Sequence, residues 1–172
     1  MELSVHQVDI VESGSDALVS PTGKNLGMTS QVAKQIKRVC SGDIYENLQR
    51  YKSVNGGDVA VSPGYNLAAY ILHAVTSPNQ QTRAQNVRTS TTRALELADD
   101  LGCETISFPV IGTGAAKLPF DAGVKIIGET VEAYQPDNLT VARLVCKDKE
   151  KFQSAKAICD DVDTPWVNRT GV

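Results

Sequence analysis

Histidine and tryptophan are nearly absent: the 172 residues hold His6, His73 and a single Trp166. Two distant histidines, with four cysteines (Cys40, Cys103, Cys146 and Cys159) that form no C-x-x-C pair, lack the ligand spacing of a zinc site, and no metal is expected. Cysteines isolated in apolar surroundings read as buried thiols of a reducing compartment. No apolar run reaches the length of a bilayer span, so no membrane association is expected. The start, Met1-Glu2-Leu3-Ser4, lacks the basic and apolar stretches of a secretion signal. The expected location is therefore intracellular: cytoplasmic, or nuclear in a eukaryote. Neither sign of charge dominates, and a net charge of −3 disfavours direct nucleic-acid binding. The one small basic group, Lys34, Lys37 and Arg38, falls on the polar side of a predicted helix, where a solvated face accounts for it. Repeats and low-complexity linkers are missing too. With 41% hydrophobic residues the chain can bury a core unaided, and residues 1–160 read as one domain with 161–172 as an irregular tail.

Strand-like and helix-like segments alternate, which predicts an α/β fold in three layers, α/β/α, around a mixed central sheet. Strands are expected at Leu3–Asp9, Ala17–Ser20, Asp58–Ser62, Ala69–Thr76, Thr105–Ile111 and Leu139–Cys146. Helices are expected at Met28–Cys40, 82–101, Phe120–Tyr134 and Asp148–Cys159, with part of 41–55 helical and 77–81 a loop. In the first helix Met28, Val32, Ile36 and Val39 share a face, and Thr29 or Ser30 can supply the N-cap.

Function points to one stretch, Phe108-Pro109-Val110-Ile111-Gly112-Thr113-Gly114-Ala115-Ala116-Lys117-Leu118-Pro119. A β-prone run feeds a loop of two glycines around a threonine, and a proline then opens an amphipathic helix. Glycines allow backbone amides to approach a ligand, and clustered amides form a nest for anions, so a phosphate or diphosphate is the natural guest. Two familiar phosphate loops are excluded. A P-loop needs a longer gap between its glycines and a Ser or Thr after its lysine, where this chain has Leu118. The dinucleotide fingerprint needs a third glycine in place of Lys117 and belongs to a first strand.

Several segments, in order, resemble the macro domain, the ADP-ribose-binding α/β module. Val8-Asp9-Ile10 and Ser15-Asp16-Ala17-Leu18-Val19 are similar to the family's Gly-Asp-Ile segment and the Asp-Ala-Ile-Val strand after it. Ser62 to Leu67 and Ile71-Leu72-His73-Ala74-Val75 resemble its Gly-Tyr-Asn-Leu-Pro and Val-Ile-His-Thr-Val pattern. Ala94 to Ala98 and Ile106 to Gly114 resemble the helix, strand and second phosphate loop. The wording is nearest to macro domains attached to a variant histone. The resemblance implies that Asp9 reads the adenine amine and Ile10 offers its amide to the ring. It implies that Gly112, Thr113, Gly114, Ala115 and Ala116 wrap a diphosphate, with Gly27, Thr29 and Ser30 on the other wall. The implied partners are ADP-ribose or a related nucleotide and, through it, an ADP-ribosylated protein. No cofactor is implied. His73, Tyr65 and Tyr70 read as packing residues.

Departures from the family pattern decide between functions. Ser20-Pro21-Thr22-Gly23 replaces Asn-Ala-Ala-Asn, whose second asparagine orients the distal ribose in hydrolytic members. The glycine run that follows is reduced to Asn25-Leu26-Gly27-Met28-Thr29, and the aromatic residue after the Gly-x-Gly loop is Ala116. Hydrolysis needs an oriented ribose and a positioned water; binding needs mainly the base reader and the diphosphate cradle. Recognition without efficient turnover is therefore expected. An ADP-ribosyl hydrolase, removing ADP-ribose from protein or deacetylating O-acetyl-ADP-ribose, is the first alternative. A protein-interaction scaffold, its pocket plugged by Leu26 and Met28, is the second.

Overall fold

The computed structural model describes residues 1–76 and 83–161. The expected loop at 77–81 and residues 162–172 of the expected tail, Trp166 among them, lie outside them. In chain order come β1 (Glu2–His6), a short 3-10 turn (Ile10–Glu12), β2 (Ala17–Thr22), α1 (Gln31–Val39), α2 (Ile44–Leu48), β3 (Val59–Pro63) and β4 (Tyr70–Val75). Then follow α3 (Arg83–Asp100), β5 (Thr105–Phe108), α4 (Phe120–Ala133), β6 (Val141–Val145) and α5 (Lys149–Asp160). The sheet order is β1-β6-β5-β2-β4-β3, parallel throughout except for β3, which runs antiparallel to β4.

The layers follow from side-chain alternation. On β2, Ala17 and Val19 join Val87, Leu95, Val124 and Ile127 in a core under α3, α4 and α5. Leu18 points the other way, into a second core with Ala33, Ile36, Ile44 and Leu48 under α1 and α2. The central strands β2 and β4 are thus covered on both faces, which is why they are buried almost without alternation.

Boundaries differ from expectation for local reasons. Residues before α1 adopt left-handed backbone, with φ of +52° at both Leu26 and Met28, which no helix contains. The helix therefore starts at Gln31, and Ser30, not Thr29, caps it by accepting from the Ala33 N–H at 3.0 Å. Its buried residues are Ala33 and Ile36, while Val39 at its end is exposed. Strand β5 stops at Phe108 because Pro109 cannot donate, and the Ile111 N–H turns back to the Pro109 carbonyl at 2.8 Å. Strand β1 stops at His6.

Two carboxylates stitch the edge of the sheet where the parallel strands begin. Asp16 accepts from the Glu104 and Thr105 amides at 2.9 and 3.0 Å. Asp99 accepts from the amides of Asp137, Asn138 and Leu139 and from the Tyr134 hydroxyl, all at 2.6–3.0 Å. Burial pushes the Asp99 carboxyl up, but these donors outweigh it and its pKa is lowered.

His73 is fully buried in β4, its Nε2 2.8 Å from Ser62 Oγ, so it is a packing residue. Burial pushes its pKa from 6.5 down to about 4. The unfolded chain therefore takes up this proton first. The contribution of the neutral imidazole is complete above the unfolded value and is lost as pH falls from 6.5 toward 4. Denaturant unfolding should show stability falling by about 2 kcal/mol between roughly pH 7 and pH 5, a loss that His73→Gln lacks. A flat native profile over that window would contradict this account.

Candidate functional site

All five parallel strands end at one edge of the sheet, and the chain leaves that edge in two directions. After β1 it enters the 3-10 turn, which packs on α1, whereas after the neighbouring β6 it enters α5 on the opposite face. After β5 it enters α4, whereas after the neighbouring β2 it enters α1 on the opposite face. Neighbouring strands whose connections part in this way leave a crevice between them, the usual ligand position in an open α/β sheet. Asp9 and Ile10 border the first crevice; Gly27, Thr29, Ser30 and residues Gly112 to Ala116 border the second.

At the first crevice Asp9 is the N-cap of the 3-10 turn, with Oδ1 3.2 Å from the Val11 amide. Its Oδ2 is paired with Lys147 Nζ at 3.1 Å and also accepts from Gln35 Nε2. Asp9 is nearly buried, its side chain 11% exposed, whereas Lys147, just past β6, is 68% exposed. Sequence reasoning missed Gln35 and Lys147, because three separate elements bring them together with Asp9. Beside Lys147, burial above all pushes the Cys146 thiol up to about 11, so it is a neutral packing group and not a nucleophile.

At the second crevice the glycines divide into two kinds. Gly112 has φ +84°, and a Cβ on it would lie 2.3 Å from Val87 of α3, so the fold itself demands glycine there. Gly114 has no left-handed φ, and a Cβ on it would meet nothing within 4 Å. Packing does not require that glycine. The loop is braced by Thr113 Oγ1 donating to the Val110 carbonyl (2.7 Å), Leu118 N to Gly112 O (2.9 Å), Lys117 N to Gly114 O (3.0 Å) and Arg83 Nη1 to Lys117 O (3.0 Å). None of the five amides from Gly112 to Ala116 finds an acceptor among the described residues. The loop leads into α4, whose N-cap Pro119 makes no side-chain capping bond.

The facing wall is less open. Gly27 N donates to Asn25 Oδ1 at 3.1 Å, and the Ser30 hydroxyl is committed to its cap. Leu26 and Met28, at 5% and 4% exposure, belong to the α1–α2 core. One surface hollow of about 460 Å³ lies near this edge between the starts of α4 and α5, and another of about 370 Å³ lies beside α2. Neither is lined by Asp9 or the glycine loop. Among the described residues no group of three or more His, Cys, Asp or Glu could hold a metal, and no helix is long and apolar enough to cross a membrane.

A family model described as Macro domain matches residues 19–127. The chain is 30% identical over 133 residues to histone macroH2A1.1 of Capsaspora owczarzaki, covering 73% of this chain and 36% of that protein. It is 26% identical over 141 residues to an uncharacterized protein of Mycobacterium bovis, covering 81% of this chain and spanning only 39% of that relative's length. Among solved structures, the Trypanosoma brucei macrodomain in complex with ADP-ribose superimposes with a TM-score of 0.79 at 22% identity, covering 91% of this chain and 68% of that one.

The two glycines should separate on substitution. Gly112→Ala should cost about 3 kcal/mol of stability through strain and overpacking, whereas Gly114→Ala should stay within about 0.5 kcal/mol of the native protein. Thermal or denaturant unfolding of both variants checks this, and equal losses would overturn the distinction.

Proposed function

The chain belongs to the macro-domain family, and from that premise we propose that it binds ADP-ribose or a related nucleotide along the carboxyl edge of its sheet, without efficient turnover. The observation that carries this reading is the row of five unpartnered amides from Gly112 to Ala116, in a loop braced on both sides and opening onto a crevice. Preorganised amides of this kind suit the oxygens of a diphosphate, with the N-terminus of α4 adding a favourable dipole. Asp9 lies at the next crevice along the same edge, as the acceptor for a base. A dinucleotide-length ligand would then run from the β1/β6 crevice to the β5/β2 crevice.

Turnover is disfavoured by what the distal end lacks. Gly23 has no side chain with which to orient a ribose, the Thr22 hydroxyl is turned to the Gly23 carbonyl, and His73 is buried against Ser62. The scaffold alternative required Leu26 and Met28 to plug the crevice, and their burial in the α1–α2 core removes its support. An ADP-ribosylated protein is the partner such a binding site would serve.

Calorimetric titration with ADP-ribose tests the proposal. The native protein should bind with roughly micromolar affinity, Asp9→Ala should weaken binding about tenfold or more, and Gly114→Val should abolish it with the melting temperature unchanged. No heat and no thermal stabilisation at millimolar ADP-ribose would overturn the assignment.

A further inference from the structure

Among the described residues, four other than glycine hold left-handed backbone: Leu26, Met28, Tyr65 and Lys117. In three of them the side chain answers for the strain. Leu26 and Met28 are buried in the α1–α2 core. The Tyr65 ring packs so closely on Gly42 that a Cβ there would lie 2.2 Å from it, and its hydroxyl accepts from Asn47 Nδ2. Lys117 differs. It is exposed at φ +55°, and its ammonium has no hydrogen bond or ion pair among the described residues. Glycine would take this conformation freely, whereas an exposed lysine gives the fold no contact in return.

We propose that Lys117 is a phosphate contact of this chain, its ammonium closing over the diphosphate that the amides of Gly112 to Ala116 receive. The inference rests on the reading that a nucleotide diphosphate lies on this loop. The backbone of Lys117 is pinned beside those amides: its N–H donates to the Gly114 carbonyl at 3.0 Å, and its carbonyl accepts from Arg83 Nη1 at 3.0 Å. Gly114, Ala115 and Ala116 carry nothing beyond a Cβ, so no side chain of that stretch stands between the lysine and the amides. Amides contribute only partial charges, while a diphosphate brings full negative charge to a protein whose own net charge is −3. A cation at the loop offsets that repulsion. At the neighbouring crevice Lys147 is already paired with Asp9, which leaves the task to a different residue. Lysine meets phosphate as a point charge on a flexible stem, without the fixed fork of an arginine, and this suits an exposed position at the end of a rigid loop.

Calorimetric titration with ADP-ribose, beside thermal unfolding, tests this on two variants. Lys117→Met keeps the stem and removes the charge; it should bind about fivefold more weakly than the native protein, with the melting temperature unchanged. Lys117→Gly should lose the same affinity yet melt at or above the native temperature, because glycine relieves the left-handed strain. Raising the salt from about 0.05 M to about 0.5 M should weaken the native protein more than either variant, so that the three affinities converge. Native affinity and native salt dependence in Lys117→Met would overturn this inference and leave the nucleotide-binding assignment intact. So would a lowered melting temperature in Lys117→Gly with affinity retained in Lys117→Met, which would make the residue structural. A native protein that binds no ADP-ribose at either salt concentration would overturn the two together.

Discussion

The contact between helix α3 and the glycine loop is the constraint on which the site depends. Val87 fills the space where any side chain on residue 112 would stand, so the loop passes tightly against the helix. Arg83, at the start of that helix, holds the loop's far end through the Lys117 carbonyl. With its middle pressed against Val87 and its end tied to Arg83, the loop cannot fold back to satisfy its own amides. Five amides are left without a protein acceptor as a consequence of packing. Gly112 is buried, Thr113 and Ala116 are half-buried, and Gly114 and Ala115 are exposed; amides held in place by packing and left without a protein acceptor are what preorganisation for an anion requires.

The two edges of the sheet divide the tasks of the molecule. At the amino edge the carboxylates of Asp16 and Asp99 accept backbone N–H groups from the turns before β5 and β6. Each closes a turn that would otherwise leave donors unpaired, and each is a stability feature with no opening for a ligand. At the carboxyl edge the carboxylates act within their own turns, Asp9 accepting from the Val11 amide and Asp148 from the Lys151 amide. In the β1/β6 crevice Asp9 pairs with side chains as well as backbone, the half-buried Gln35 and the exposed Lys147. Parallel topology imposes this asymmetry, because every connection from a parallel strand must leave the edge where its strand ends.

Most of the fold was legible in the sequence because its elements are long, apolar and punctuated. Helix α4 begins after Pro119 as read, α3 stops at Gly102, which has φ +76°, and the six strands fall where apolar runs lie. What was not legible depended on backbone conformations that side-chain type does not announce. Met28 matches the helical spacing of Val32 and Ile36, yet it sits in left-handed backbone ahead of the helix. Periodicity registers where an apolar residue recurs, not the dihedral that delivers it to the core. The glycine loop stood out in the sequence as a candidate site, but its glycines looked alike; the position of Val87 separates Gly112 from Gly114. Gln35 and Lys147 were invisible for a different reason. Each is an ordinary polar residue on a polar stretch, and its role arises from a tertiary meeting at Asp9.

The strained wall opposite the glycine loop shows how this chain replaces glycine by burial. Leu26 and Met28 both hold φ near +52°, a conformation that costs a side-chain-bearing residue roughly 1–2 kcal/mol. Glycine would adopt it freely, but glycine also has more freedom to lose on folding. Burying a Leu or Met side chain contributes about 1.5–3 kcal/mol, enough to offset the strain at each position. The side chains are packed beside Ile36, Ile44 and Leu48, so the turn is fixed from within the core. A wall held this way is stiffer than a run of glycines and presents less bare backbone to a ligand. In the proposed reading the diphosphate contacts would fall mainly to the Gly112–Ala116 side, and the asymmetry between the two walls follows from which loop is held by space and which by side chains.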